Sequence, residues 1–176
     1  MRLLLCALLI GPLAVFEAAA GGRIEVRVTD HRAGIENFRS LTISVSEVWL
    51  HRSGRARRDG WTAALKDSRP VDIVPLKDGK WEKVGIGALP AGKYDAIRVD
   101  AIVREARHKG TNAVAMDPMS TVIAFHDEVE IKKDVLLPVL LDFHVEDQTD
   151  HAPPRYVLKL RHVAIGQDPP VTGGGR

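Results

Sequence analysis

Apolar and polar residues alternate with period two along most of this chain, and this alternation predicts β-strands with one buried face. The clearest stripes cover residues 24–28, 41–45 and 135–145, with weaker ones at 71–74, 97–103, 121–131 and 157–165. At Ser46-Glu47 the apolar phase shifts by one residue, which indicates a β-bulge. No segment beyond residue 20 shows a helical period, so strands account for the whole pattern.

Glycine-containing turns separate these stretches. Asp59-Gly60 and Asp78-Gly79 are typical of tight turns, and Leu89-Pro90-Ala91-Gly92 leads directly into an alternating segment. A long strand that starts at a Pro/Gly turn is typical of chains that fold back on themselves. We therefore predict an all-β fold: an antiparallel two-sheet β-sandwich, immunoglobulin-like or prealbumin-like, with seven to nine strands.

The first 20 residues have the layout of a secretory signal peptide. Arg2 is followed by an apolar run over Leu3–Phe16 and by the small residues Ala18-Ala19-Ala20. We predict cleavage near Ala20 and export to the periplasm or the extracellular space, with no stable membrane span in the processed chain. The alternative is an uncleaved N-terminal anchor, although the run is shorter than the about 20 residues of a comfortable span.

Composition divides the rest of the chain into one domain and a tail. Residues 21–166 are long enough for a single β-sandwich domain with its own core. The Pro/Gly-rich residues 167–176 predict a disordered tail. The one cysteine, Cys6, lies inside the signal, which excludes disulfides and cysteine chemistry from the processed chain.

The overall charge of the chain excludes few classes of function. The net charge is +2 with a pI near 8.8, and both signs are interspersed. The exception is a basic cluster over residues 52–58, which could contact phosphates or anionic surfaces, or form a solvated hairpin loop. Aromatic residues make up only 5% of the chain. Together with export, this scarcity predicts no nucleic-acid partner.

The order and spacing of several segments are similar to the domain-of-unknown-function family 4382. They run from residue 22 to residue 165: Gly22–Asp30, Leu41–Arg52, Gly60-Trp61, Val71–Leu76, Leu89–Val99, Leu140–Phe143 and Tyr156–Leu160. The resemblance implies an exported or lipid-anchored prokaryotic module with a carbohydrate-binding-like sandwich. It implies no activity and transfers no catalytic residue. The chain departs from the family at His31-Arg32, where Ala-Pro usually follows, and it has no lipid-anchor cysteine after the signal.

Histidines and acids predict one candidate metal site. On the strand that starts at Val135 the even-numbered residues point away from the core, and the preceding strand repeats that arrangement. The candidate ligands are His126, Glu128, Asp142, His144 and Glu146. Imidazole and carboxylate together suit zinc or copper. The hypothesis requires His126 and His144 on adjacent strands; the alternative is surface charge that pairs with Arg155, Lys159 and Arg161 on the last strand.

Catalysis has little support in the sequence. Asp30, His31 and Asp127 could transfer protons if they lined one pocket. The chain has no Gly-x-Ser-x-Gly elbow and no glycine-rich phosphate loop. We therefore predict that the protein is not an enzyme and that it needs no cofactor, apart from the divalent metal of the hypothesis above.

The three tryptophans are the remaining candidates for ligand contacts. We expect at least two of Trp49, Trp61 and Trp81 to fill the core, with Trp61, beside a glycine turn, as the best surface candidate for a sugar ring. The sequence thus predicts a secreted, non-catalytic module that binds a glycan or a protein partner at the cell envelope. The alternative is a periplasmic protein that binds a divalent metal. The oligomeric state is not indicated.

Overall fold

A computed structural model describes residues 21–31, 34–110, 114–151 and 153–166 of the chain, and it confirms the all-β sandwich of two sheets. The predicted signal peptide and the predicted tail lie outside these residues. The described residues form nine strands: β1 (Gly21–Asp30), β2 (Phe38–Arg52), β3 (Trp61–Lys66), β4 (Val71–Asp72), β5 (Glu82–Pro90), β6 (Gly92–His108), β7 (Met119–Ile131), β8 (Leu136–Asp147) and β9 (Tyr156–Ile165). Two short 3₁₀ turns, Gly34–Asn37 and Val74–Leu76, join some of them.

The strands form a sheet ordered β5-β1-β8-β9 and a sheet ordered β3-β2-β6-β7, with β4 beside β2. Every pairing is antiparallel except that of β1 with β8, which is parallel. The prediction of wholly antiparallel sheets is therefore wrong at this pair. β1 begins at the end of the sandwich where β8 also begins, and there the Asp134 amide donates to the Gly21 carbonyl (3.2 Å). The N-terminal strand thus enters the middle of a sheet between partners from later in the chain.

The core is built by the predicted alternation. In β8 the odd-numbered residues from Val139 to Val145 are fully buried, while Asp142, His144 and Glu146 lie on the outer face. The facing side chains of the other sheet are equally buried. Across both sheets and their connections, the largest fully buried side chains are Tyr94, Phe38, Phe143, Ile24, Ile35, Leu41, Ile43, Leu50, Ile73, Leu89, Ile97 and Ile131. Burial of this contiguous apolar surface stabilises the sandwich.

Of two local predictions from the sequence, one is confirmed and the other is wrong in part. The register of β2 against β6 shifts between Val45 and Glu47, which confirms the bulge. The predicted strand over residues 71–74 is wrong beyond Asp72, where the chain turns into 3₁₀ geometry. The Asp72 carboxylate accepts from the amides of Leu41 (3.0 Å) and Val74 (3.1 Å), and Pro75 follows in the turn. These bonds pull the backbone away from the ladder.

The two sides of the sandwich are closed differently. On one side the edge strands β3 and β5 meet, and a Cβ atom on Gly87 would overlap the carbonyl oxygen of Ala64. Only glycine permits so close an approach. On the other side the edge strands β7 and β9 contact each other less extensively, and a cleft lies between them. The fold therefore leaves one side of the sandwich open.

Candidate functional site

The open side of the sandwich is a cleft of about 460 Å³ between β7 and β9. β7 has 13 residues and β9 has ten, and among the described residues no strand pairs with the outer edge of either. The cleft combines apolar and titratable side chains. Its lining includes Ile123, Phe125, Val129, Val163 and Ile165 together with His126, Asp127, Arg161 and His162.

A bulge divides β7 into two halves. Between the pairs Ala96–Ala124 and Tyr94–Val129, β6 contributes one residue and β7 contributes four, Phe125–Glu128. Bulges of this kind disturb the ladder and re-aim side chains. Here the bulge places His126, Asp127 and Glu128 on the exposed part of the strand. The half of β7 that precedes the bulge, Met119–Ala124, keeps a regular register with β6.

The predicted metal ligands fall on both sheets. His126 and Glu128 lie on β7, whose strand partner is β6, whereas Asp142, His144 and Glu146 lie on β8, between β1 and β9. The prediction that His126 and His144 occupy adjacent strands is therefore wrong. β7 and β8 follow each other in sequence, but the connection between them crosses from one sheet to the other.

Two of the predicted ligands have cationic partners instead. Glu146 pairs with Lys159 across the β8–β9 ladder. Glu128 accepts from the Ser53 hydroxyl and pairs with Lys93 (Nζ to Oε2, 3.1 Å). Within the described part of the chain no group of three or more His, Cys, Asp or Glu side chains is arranged to hold a metal ion. The Lys159 pair is the one that the surface-charge interpretation predicts.

A separate group of titratable side chains lies where β1 ends. Asp30 is 4% exposed, and both of its carboxylate oxygens are buried without a hydrogen-bond partner. Burial, reinforced by the charge of Asp142 and opposed by that of Lys77, raises the pKa of Asp30 to about 7. Nδ1 of the exposed His31 lies 4.0 Å from the Asp142 carboxylate. The group can hold a proton near neutral pH.

Burial and neighbouring charges also shift the pKa values of other side chains in this group. Burial raises the pKa of Asp142 against the opposing charges of His31, Arg161, His162 and His144. Burial and the charge of Lys159 lower the pKa of His144, whose Nδ1 is buried without a partner. Asp127, the third predicted acid/base residue, lies in the cleft beside β7 on the other sheet. The structure thus brings Asp30 and His31 towards Asp142, but not towards Asp127.

Trp61 lies at the base of the basic hairpin loop between β2 and β3. Its indole Nε1 donates to the Arg57 carbonyl (2.8 Å), and its ring meets that of His51 edge to face with centroids 5.1 Å apart. The side chain is half-buried. The tight turn in front of it uses Gly60 with a φ of +81°, which few other residues tolerate. Trp61 therefore fixes the loop as well as contacting solvent.

His51, near the end of β2, is a buried residue next to this loop that sequence reasoning missed. Its Nδ1 contacts the Asp95 carboxylate (2.6 Å) and its Nε2 contacts the Ala56 carbonyl (3.1 Å). Because an ionised carboxylate and a carbonyl only accept hydrogen bonds, this arrangement favours the cationic ring, which has a proton on each nitrogen. Burial alone would lower its pKa, but the two hydrogen bonds and the charge of Asp95 outweigh burial and raise the pKa. His51 thereby ties the loop to β6.

With the fold and these sites described, comparison with known proteins adds one finding. Residues 21–159 match the family model for a domain of unknown function, DUF4382. The chain belongs to the DUF4382 family. No curated protein and no solved structure matches the chain. The resemblance inferred from segment order is confirmed, and family membership assigns no substrate, partner or catalytic residue.

In this DUF4382 chain the prediction that at least two tryptophans fill the core is wrong. Trp49 and Trp61 are half-buried, and Trp81 is 40% exposed. The indoles of Trp49 and Trp81 lie on outer faces, where the guanidinium groups of Arg98 (4.9 Å) and Arg27 (4.0 Å) stack over their rings. Cation–π contact of this kind allows a large aromatic ring to pack outside a core.

The chain was also searched for membrane-spanning helices. Among the residues that the structure describes, no helix has the length and apolar character needed to cross a membrane. Residues 1–20, which carry the predicted signal peptide, lie outside this search.

Proposed function

We propose that this DUF4382 chain is a non-catalytic module of the cell envelope that binds an extended segment of a partner protein by strand addition to β7. The observation that carries the proposal is the uncovered outer edge of β7 beside an apolar cleft. An extended peptide on such an edge gains backbone hydrogen bonds, and alternate side chains enter the neighbouring cleft. The predicted signal peptide supports the location, and the mechanism needs no cofactor.

The position of the bulge supports a specific stretch of β7. Charged side chains and bulges protect sheet edges from unwanted pairing, and both occur at His126, Asp127 and Glu128. The preceding stretch, Met119–Ala124, carries no charged side chain and is regular against β6. Val122 in this stretch is 55% exposed. We therefore assign the docking edge to residues 119–124.

Glycan binding has weaker support. The sequence hypothesis needs an exposed Trp61 beside a shallow groove, but the Trp61 indole is half-buried and its polar edge is used by Arg57. Cations cover one face of Trp49 and one face of Trp81. A sugar ring needs an open, flat aromatic face for apolar contact. We therefore favour a protein partner over a glycan.

Peptide selection tests this proposal. A phage library of random linear peptides is selected against residues 21–176, which contain every described strand, and amide hydrogen exchange is measured with the selected peptides bound. We expect slower exchange within residues 119–124, because those amides gain partners on the outer edge. Ala124→Lys should weaken the peptides at least tenfold. Ile86→Lys, at an exposed apolar position on edge strand β5, is the matched control.

Two outcomes would contradict strand addition. In the first, the selected peptides slow exchange elsewhere and bind the Ala124→Lys variant as tightly as the parent chain. In the second, a parallel screen finds an immobilised oligosaccharide that retains the parent chain but not the Trp61→Ala variant. The first result would move the protein site away from β7, and the second would establish glycan binding instead.

A further inference from the structure

Exposed basic residues gather at the end of the sandwich where β1 begins. This basic end consists of the hairpin loop 53–60, the start of β6 and the turn 132–135. Backbone hydrogen bonds hold these segments together: the Ser53 amide donates to the Lys93 carbonyl (2.9 Å), and the Asp134 amide donates to the Gly21 carbonyl (3.2 Å). Gly21 also pairs with Pro90, next to the start of β6. The basic end is thus one continuous surface.

Most acids at this end are already neutralised by partners, whereas several cations are not. Exposed cations at this end are Arg52, Arg55, Arg57, Arg58, Lys93, Lys132 and Lys133. Asp59 pairs with Arg58 (3.3 Å) and Glu128 pairs with Lys93 (3.1 Å). Among the described residues, no acidic side chain lies within salt-bridge distance of Arg55 or Lys133. Uncompensated positive charge therefore faces solvent.

Apolar side chains are exposed beside these cations. Val135 is 43% exposed and Leu136 is 40% exposed, directly after the Lys132-Lys133 pair. Basic residues next to exposed aliphatic groups suit the headgroup region of a bilayer, where phosphates attract the cations and the acyl boundary accepts the apolar groups. A soluble polyanion would use the charge but would leave the apolar groups in water.

The connection to the N-terminal segment points to the same surface. Gly21, the first described residue, lies at the basic end, and the apolar run Leu3–Phe16 precedes it in the sequence. Any attachment of that segment to a membrane places the basic end, rather than the opposite end, next to the lipid. The stretch 119–124 of β7 lies on the half of the strand that is farther from this end.

We propose that the basic end docks on the surface of a bilayer that contains anionic phospholipids. The basic loop supplies long-range attraction, and Val135 and Leu136 contact the boundary of the acyl region. This proposal does not depend on strand addition at β7, and a docked molecule leaves that edge open to a partner.

Vesicle sedimentation with residues 21–176 tests the proposal without the N-terminal segment. We expect binding to phosphatidylcholine vesicles that contain about one-third phosphatidylglycerol, no binding to pure phosphatidylcholine, and release at about 0.5 M salt through screening. A triple variant with Arg52→Gln, Arg55→Gln and Lys133→Gln should bind about 100-fold more weakly, since each basic residue near an anionic surface contributes about fivefold.

A matched control separates location from net charge. The control variant carries Arg39→Gln, Lys80→Gln and Lys109→Gln, which remove three exposed cations from the opposite end. This variant should bind like the parent chain. Equal loss in both triple variants would overturn the proposal, because net charge alone would then explain the binding. Failure of the parent chain to sediment with anionic vesicles would overturn it too. Retention on immobilised heparin without vesicle binding would reassign this surface to soluble polyanions.

Discussion

One end of the sandwich buries His51 and the other buries Asp30, and the surroundings of these two side chains differ in opposite ways. At the basic end His51 is fully buried, and both of its ring nitrogens have acceptors. At the other end Asp30 is almost as buried, and neither carboxylate oxygen has a partner. In each case the pKa is raised. The pKa of His51 rises because hydrogen bonds stabilise its cation. The pKa of Asp30 rises because burial without a partner destabilises its anion.

This difference teaches what a raised pKa means for stability. Bonds that favour a cation stabilise the folded state until the cation deprotonates, while a buried and unpaired carboxylate destabilises the fold once it ionises. Both effects make the folded state less stable as pH rises. The free energy of unfolding should therefore fall as pH rises, from about pH 4 to 7 through Asp30 and above about pH 6.5 through His51. These two groups lie at opposite ends of the molecule and should act independently.

Asp30→Asn should give the largest effect. With a folded pKa of about 7 and an ordinary value of 3.8, the parent chain loses stability as pH rises from about 4 to 7, by on the order of 4 kcal/mol if the pKa alone decides. We expect the variant to be more stable at pH 8 by about 2–4 kcal/mol and nearly unchanged at pH 4. Urea unfolding at both pH values measures this, with exposed Asp127→Asn as control. A variant that is less stable at pH 8 would contradict an unpaired carboxylate.

His51→Gln should give the next effect. Glutamine keeps one donor but loses the charge, so we expect a loss of about 1–2 kcal/mol at pH 6. Because the folded pKa is raised above 6.5, the contribution of the cation is complete below about pH 6.5 and is lost as pH rises through the folded value. The difference between parent and variant should therefore shrink at pH 9. Urea unfolding at the two pH values, with hydrogen exchange in residues 52–60, provides the measurement. A difference that does not change with pH would indicate a neutral ring.

Added zinc should give the smallest effect. Because His126 and His144 lie on different sheets, we expect the midpoint of thermal unfolding of EDTA-treated residues 21–176 to rise by less than about 1 °C, the change for an ion without a native-state site. Copper and calcium provide parallel measurements. A larger rise that either His126→Ala or His144→Ala abolishes would restore the metal hypothesis.

The sequence was a sufficient guide where structure depends on neighbours in the chain. Alternation predicts the strands and their buried faces, and the phase shift at Ser46-Glu47 predicts the bulge that β2 contains. The sequence does not show which strands pair when they lie far apart in the chain. Nothing in residues 21–30 specifies β8 as a parallel neighbour, because both strands present similar apolar stripes to the core.

The candidate sites show the same limit. Trp61 is half-buried, whereas Trp81 is the exposed tryptophan. The role of His51 depends on Asp95 from β6 and on the Ala56 carbonyl, which only the folded chain brings together. The burial of Asp30 without a hydrogen-bond partner depends on the chain segments packed around it. Trp49 and Trp81 stay outside the core because arginines from other positions stack on them. Such contacts between distant residues cannot be predicted from composition.

The central position of β1 has a consequence for the order of folding. β1 pairs only with β5 and β8, so the first strand made is completed by one of the last. Contacts between such distant residues form slowly, since a long loop must close first. In a chain that emerges N-terminus first, one edge of β1 can pair with β5, but its other edge stays unpaired until β8 follows. The sheet that contains β1 is therefore completed only after most of the chain has been made.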